Sequence, residues 1–183
     1  MGILVAFAPF IVYVILERLA GIPAGLIAAT ITSAALLVRD AASRRRKPKI
    51  LEIGTFLLFG GLALYAYFAG AVWSIPAVRL RVDAGLLLIV LISMAVRQPF
   101  TLQYARETVS SDMWATPEFL RTNYIITAVW AAAFAVMVAA DLAMLYVPAL
   151  PTRLAIIVTI LAIYAAVRFT MWYPERNRVR TAG

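Results

Sequence analysis

The chain has no cysteine and no histidine in its 183 residues. That removes disulfides, thiolate nucleophiles, and metal centres built on sulfur or imidazole. It also removes histidine-ligated haem and any serine activated by a histidine base. Lysine is nearly absent too. Lys47 and Lys49 are the only two and share one polar stretch, so no apolar segment carries an amine for a Schiff base. There is no glycine-rich phosphate loop, and no paired acidic motif of the kind that holds magnesium and a diphosphate. The expectation is a protein without cofactor or metal, and not an enzyme. The first apolar run lacks a basic start and a small-residue cleavage site, so it reads as a retained span rather than a signal peptide.

What the chain does have is apolar sequence. Apolar residues make up 64% of it, against roughly 45–50% in a soluble domain. They fall into six long stretches, approximately 3–19, 24–38, 50–69, 84–96, 121–147 and 153–173. An excess gathered this way calls for lipid as solvent. The expected fold is all-α: a polytopic six-helix transmembrane bundle forming a single domain over residues 1–183. Pro9 lies inside the first span and should bend it. Gly21-Ile22-Pro23 makes a tight hairpin with the second. The span over 84–96 is the shortest, and borrowing from the connector before it would lengthen it. Thr116-Pro117-Glu118 combines an N-cap, a first-turn proline and an early acid, so a helix should start there and end before Pro148.

Seventeen Lys/Arg against nine Asp/Glu leave a net charge of +8. No groove-reading element accompanies this charge, so nucleic acid is not the expected partner. The basic residues cluster at span ends, where anionic lipid headgroups are the natural counterpart. Thirteen Lys/Arg fall on the side of the Arg39–Lys49 loop, the 97–115 loop and the C-terminal tail; four fall on the other side. The positive-inside rule then places both termini in the cytoplasm.

Helices in lipid associate through close backbone approach and polar contacts. Gly21, Gly25, Ala29 and Ser33 form one small-residue row, and Ala131, Ala135, Ala139 and Ala143 another. Packing within the bundle and a homo-oligomer face are the two readings. Ionisable groups in spans are functional suspects by default. Glu17, Arg18, Asp141 and Arg153 fall near the outer boundary, as a ligand site or as structural ion pairs. Glu52 and Arg168 fall at similar depth on the inner side and form a candidate ion pair. Arg97, Phe100, Tyr104, Arg106 and Glu107 suit a short helix along the cytoplasmic headgroups, available to dock a partner.

Three stretches together resemble the bacterial intracellular septation protein A family of inner-membrane proteins. One is Phe7-Ala8-Pro9, with Glu17-Arg18 ahead of a short turn. Another is Arg97-Gln98-Pro99-Phe100, with Arg106-Glu107 after it. The third is Leu120, Asn123, Trp130 and Phe134, with Asp141 eleven residues beyond the tryptophan. The resemblance implies a multi-pass protein of the bacterial inner membrane, engaged in septation and cell-envelope maintenance through contacts with other membrane proteins. The alternative is a small transporter or lipid-handling protein. It would use Glu17, Arg18, Asp141 and Arg153, with Pro9 and Gly60-Gly61 permitting helix movement.

Overall fold

A computed structural model describes residues 5–43, 48–147 and 149–181. Arg44 to Lys47 of the basic loop and Pro148 of the last turn lie outside the described residues. Every regular element described is helical: α1 (Ala8–Ala20), α2 (Ile22–Ala42), α3 (Ile50–Ala69), α4 (Ile75–Ala95), α5 (Phe100–Ala105), α6 (Pro117–Tyr146) and α7 (Thr152–Thr181), with a single 3₁₀ turn at Ser111–Met113. Four of them, α2, α3, α6 and α7, are long and apolar enough to cross a membrane. Helix α1 has 13 residues, about 20 Å at 1.5 Å per residue, against a hydrocarbon core of about 30 Å. Helix α4 has the length, with 21 residues, but carries Arg79, Arg81 and Asp83 in its first half.

The chain divides into two compact units, Met1–Ile89 and Val90–Gly183. In the first, α1 packs on α2 and α2 on α3. Gly25 makes the α1–α2 contact: a Cβ there would lie 3.0 Å from both the Tyr13 carbonyl oxygen and the Glu17 nitrogen. Only glycine allows backbones this close. Tyr13, Leu26, Ala29, Phe59, Val78 and Val82, drawn from four helices, form the buried core. Phe10 and Tyr13 tilt against Phe59 with ring centroids 5.0 and 5.5 Å away. Gly25, Ala29 and Ser33 of the small-residue row are thus used in packing within the chain.

Pro9 sits in the first turn of α1, where its missing N–H costs nothing. It opens this helix just after a break that separates it from helical residues 5–6, so the span is interrupted beside Pro9. The interruption falls at Phe7, whose carbonyl accepts from both Phe10 and Ile11. The helix expected over 84–96 begins nine residues earlier, at Ile75. Pro76 is in its first turn, and no further proline follows before Ala95. Arg79, Arg81 and Asp83 interrupt the apolar run without interrupting the helix.

In the second unit α6 packs on α7, and the short α5 packs on α6. Thr116 caps α6 by accepting from the Phe119 N–H at 3.4 Å, with Pro117 following as expected. Trp130 donates its indole N–H to the Thr170 hydroxyl at 3.0 Å, and that hydroxyl donates to the Ala166 carbonyl. Of the alanine row on α6, Ala131 is buried, whereas Ala135 and Ala139 are exposed. Helix α7 continues through Pro174 instead of ending at Tyr173.

Candidate functional site

The most concentrated chemistry in the molecule lies where α2 ends and α3 begins. Asp40 is in the last turn of α2, at the negative end of the helix dipole. Lys49 is the N-cap of α3, at the positive end of that helix. Each charge alone opposes its own dipole. Together they cancel: the Lys49 ammonium donates to Asp40 Oδ2 at 2.5 Å. It also reaches Glu52 Oε1 at 3.4 Å, and Glu52 in the first turn of α3 suits the dipole there. Arg39 donates through Nε to Asp40 Oδ1 at 2.9 Å, with Nη2 at 2.8 Å from the same oxygen.

Exposure decides what this cluster is. Asp40 is 0% exposed, Lys49 4% and Glu52 3%. Arg39 stays half in solvent. Among the described residues two carboxylates meet two cations, the balance that lets charge be buried without a large penalty. Two buried hydroxyls on the same helices bond to their own backbones. Ser33 donates to the Ala29 carbonyl at 2.8 Å and Thr55 to the Leu51 carbonyl at 2.6 Å. Chemically the cluster is a closed staple joining two helix ends across the basic loop. An ammonium held between two carboxylates is neither a free amine nucleophile nor an open anion site.

Sequence reasoning placed Lys49 in a loop and overlooked Asp40 as a partner. Eight residues lie between the two, and no periodicity encodes a contact across such a gap. One signal was available: an acid closing one helix and a lysine opening the next are each unfavourable at those dipole ends unless they meet. Glu52, expected at the inner side with Arg168, accepts from Lys49; Arg168 is exposed on α7 in the second unit.

The outer candidates divide between the units. Glu17 of α1 is 7% exposed, and its Oε1 has no hydrogen-bond partner among the described residues. Arg18 beside it is exposed, and Arg79 of α4 is within electrostatic reach. In the second unit Asp141 is 1% exposed on α6, while Arg153 at the start of α7 is exposed.

The proposed docking stretch is helical but turned inward. Phe100, Leu102 and Tyr104 are buried within the second unit. Thr101 donates to the Asn123 carbonyl at 2.9 Å or shares its proton with Thr127 at 2.8 Å, and Phe100 meets Trp130 edge-on at 6.3 Å. The amphipathic face that suggested a headgroup helix is spent on α6. Phe100 and Tyr104 therefore offer no surface to a partner. Arg97 and Glu107 are exposed, and Arg106 is half-buried with its guanidinium 5.6 Å above the Trp114 ring.

Arg97 has a further peculiarity. It closes α4 in a Schellman motif: Gln98 N–H bonds to the Ser93 carbonyl and Arg97 N–H to the Met94 carbonyl. The motif needs a left-handed residue, and Arg97 supplies it at φ 58°. It is the single non-glycine residue with positive φ among those described.

Among the described residues no group of three metal-ligating side chains comes together. No family model, curated protein or solved structure matches this chain.

Proposed function

We propose that this chain is a six-span protein of the bacterial cytoplasmic membrane, with both termini inside, that works by contacting other membrane proteins rather than by catalysis. Envelope maintenance of the septation type is the role its sequence resemblance implies. In this reading α1 and α4 cross the bilayer alongside the four longer apolar helices. Burying Glu17 and Asp83 within the first unit makes their presence in spans tolerable.

The observation that carries the reading is Arg97. A left-handed residue without glycine costs roughly 1–2 kcal/mol. Glycine would close the same motif without that cost. Arg97 nevertheless has an exposed side chain that makes no bond among the described residues. Strain kept at an exposed cation is a mark of a working surface. Meanwhile the groups best suited to chemistry are occupied within each unit: Lys49 with Asp40 and Glu52, and Thr101 with Thr127. The test is complementation of a deletion strain by Arg97→Gly and Arg97→Ala. The reading requires Arg97→Gly to be at least as stable as the parent yet unable to restore envelope integrity. Full complementation by a stable Arg97→Gly removes this surface from the function.

A transporter is the second reading, favoured by the buried Glu17 oxygen that has no hydrogen-bond partner among the described residues. Glu17→Gln separates the two: solute flux lost from a folded variant supports transport, and unchanged complementation supports docking.

A further inference from the structure

The end of α3 and the turn into α4 carry the most exposed large apolar side chains among the described residues. Val72 is 97% exposed, and Tyr67 and Phe68 are each 80% exposed. Helix α3 stops because Gly70 takes a left-handed conformation at φ 57° and the Ala71 N–H returns to the Ala66 carbonyl. The chain folds back so that Trp73 stacks on Tyr65, with ring centroids 5.7 Å apart and planes within 7°. Arg81, two turns into α4, lays its guanidinium 4.8 Å from the Trp73 ring centre. One terminal nitrogen donates to the Ala77 carbonyl at 2.6 Å.

These contacts hold the guanidinium by its face and by one corner. Nε and Nη2 remain with hydrogens to donate, and Arg81 makes no ion pair among the described residues. An exposed, pre-oriented arginine fork without a carboxylate matches a phosphate ester better than a solvated lysine would. Stacked aromatic rings with an apolar fringe are the side chains that settle at the level of lipid headgroups. We propose that the α3–α4 turn is a phospholipid headgroup site, with Arg81 binding the phosphodiester and Trp73 holding Arg81 in place. The inference rests on the membrane reading above but assigns a ligand class to a corner that reading leaves unused.

The experiment uses the full chain purified in detergent, with phosphatidylglycerol titrated in and retained lipid counted by native mass spectrometry. Helix content is checked by circular dichroism for every variant. Arg81→Gln should lower retention about five-fold, the effect of one arginine at a membrane surface. Arg81→Lys, which keeps the charge but not the fork, should fall in between. Trp73→Leu should weaken retention without any change in charge. Arg176→Gln, which removes another arginine stacked on a tryptophan, should leave it unaltered. Excess inorganic phosphate should not displace the lipid. An inserted, folded chain in which Arg81→Gln retains lipid like the parent, or Arg176→Gln loses as much, overturns the site alone. Stoichiometric displacement by inorganic phosphate overturns the lipid assignment. A parent chain recovered in the soluble fraction after an alkaline wash of membranes overturns the membrane reading itself.

Discussion

Lys49→Met tests the staple between α2 and α3 most severely. The ammonium is 4% exposed and holds two carboxylates that are 0% and 3% exposed. Methionine fills a similar volume, so the packing loss is small. The main consequence is that Asp40 and Glu52 stay buried without the Lys49 ammonium, while Arg39 still pairs with Asp40. Removing one partner of a buried pair typically costs about 3–5 kcal/mol. Against a total stability of about 5–15 kcal/mol, that is a large fraction. The cause can be isolated by removing the stranded charges as well. Asp40→Asn/Lys49→Met/Glu52→Gln should recover most of the loss, since replacing a whole buried ion cluster by neutral groups is often near neutral. Arg39→Gln alone, on the half-exposed side of the cluster, should cost about 1 kcal/mol or less. The measurement is unfolding of the full chain in mixed micelles, followed by circular dichroism. A Lys49→Met variant within about 1 kcal/mol of the parent, or a triple variant no better than the single one, would refute the staple.

Other substitutions probe single features. Arg97→Gly should raise stability by about 1 kcal/mol by relieving the left-handed strain, seen as a later unfolding midpoint. Gly25→Ala should destabilise by about 1–3 kcal/mol, because the methyl meets the α1 backbone at 3.0 Å. Gly61→Ala, where a Cβ meets nothing within 4 Å, should instead stabilise by up to about 1 kcal/mol through helix propensity. Trp130→Phe should leave the Thr170 hydroxyl bonded to Ala166 but remove the interhelical bond. A loss of about 1 kcal/mol is expected, mirrored by Thr170→Val and not additive with it.

Much of the helical layout was readable because its signals are local. Thr116-Pro117-Glu118 announced the start of α6, and the unbroken run from Ile50 marked α3. The beginning of α4 was less legible. Hydropathy sees Arg79, Arg81 and Asp83 as an interruption, whereas the backbone sees only residues that tolerate a helix. The face of α5 was misjudged for a related reason. An amphipathic six-residue helix looks the same whether its apolar side meets lipid or α6, and only tertiary packing tells them apart. The Asp40–Lys49 contact is signalled only by two charges at unfavourable helix ends, and the left-handed Arg97 has no local signature. One arises from two helix ends meeting across a loop, and the other places a residue type where glycine is usual.

The absence of native cysteine makes one topology measurement direct. Single cysteines at Ser43, Val72, Ser110 and Ala149 would be labelled in intact cells with a membrane-impermeant maleimide. Six crossings with cytoplasmic termini require Val72→Cys and Ala149→Cys to react from outside, and Ser43→Cys and Ser110→Cys to react after permeabilisation alone. If only α2, α3, α6 and α7 cross with the Arg39–Lys49 loop inside, Ser110→Cys reacts in intact cells and Ala149→Cys does not; with that loop outside, Ser43→Cys reacts and Val72→Cys does not; either pattern contradicts the six-span account.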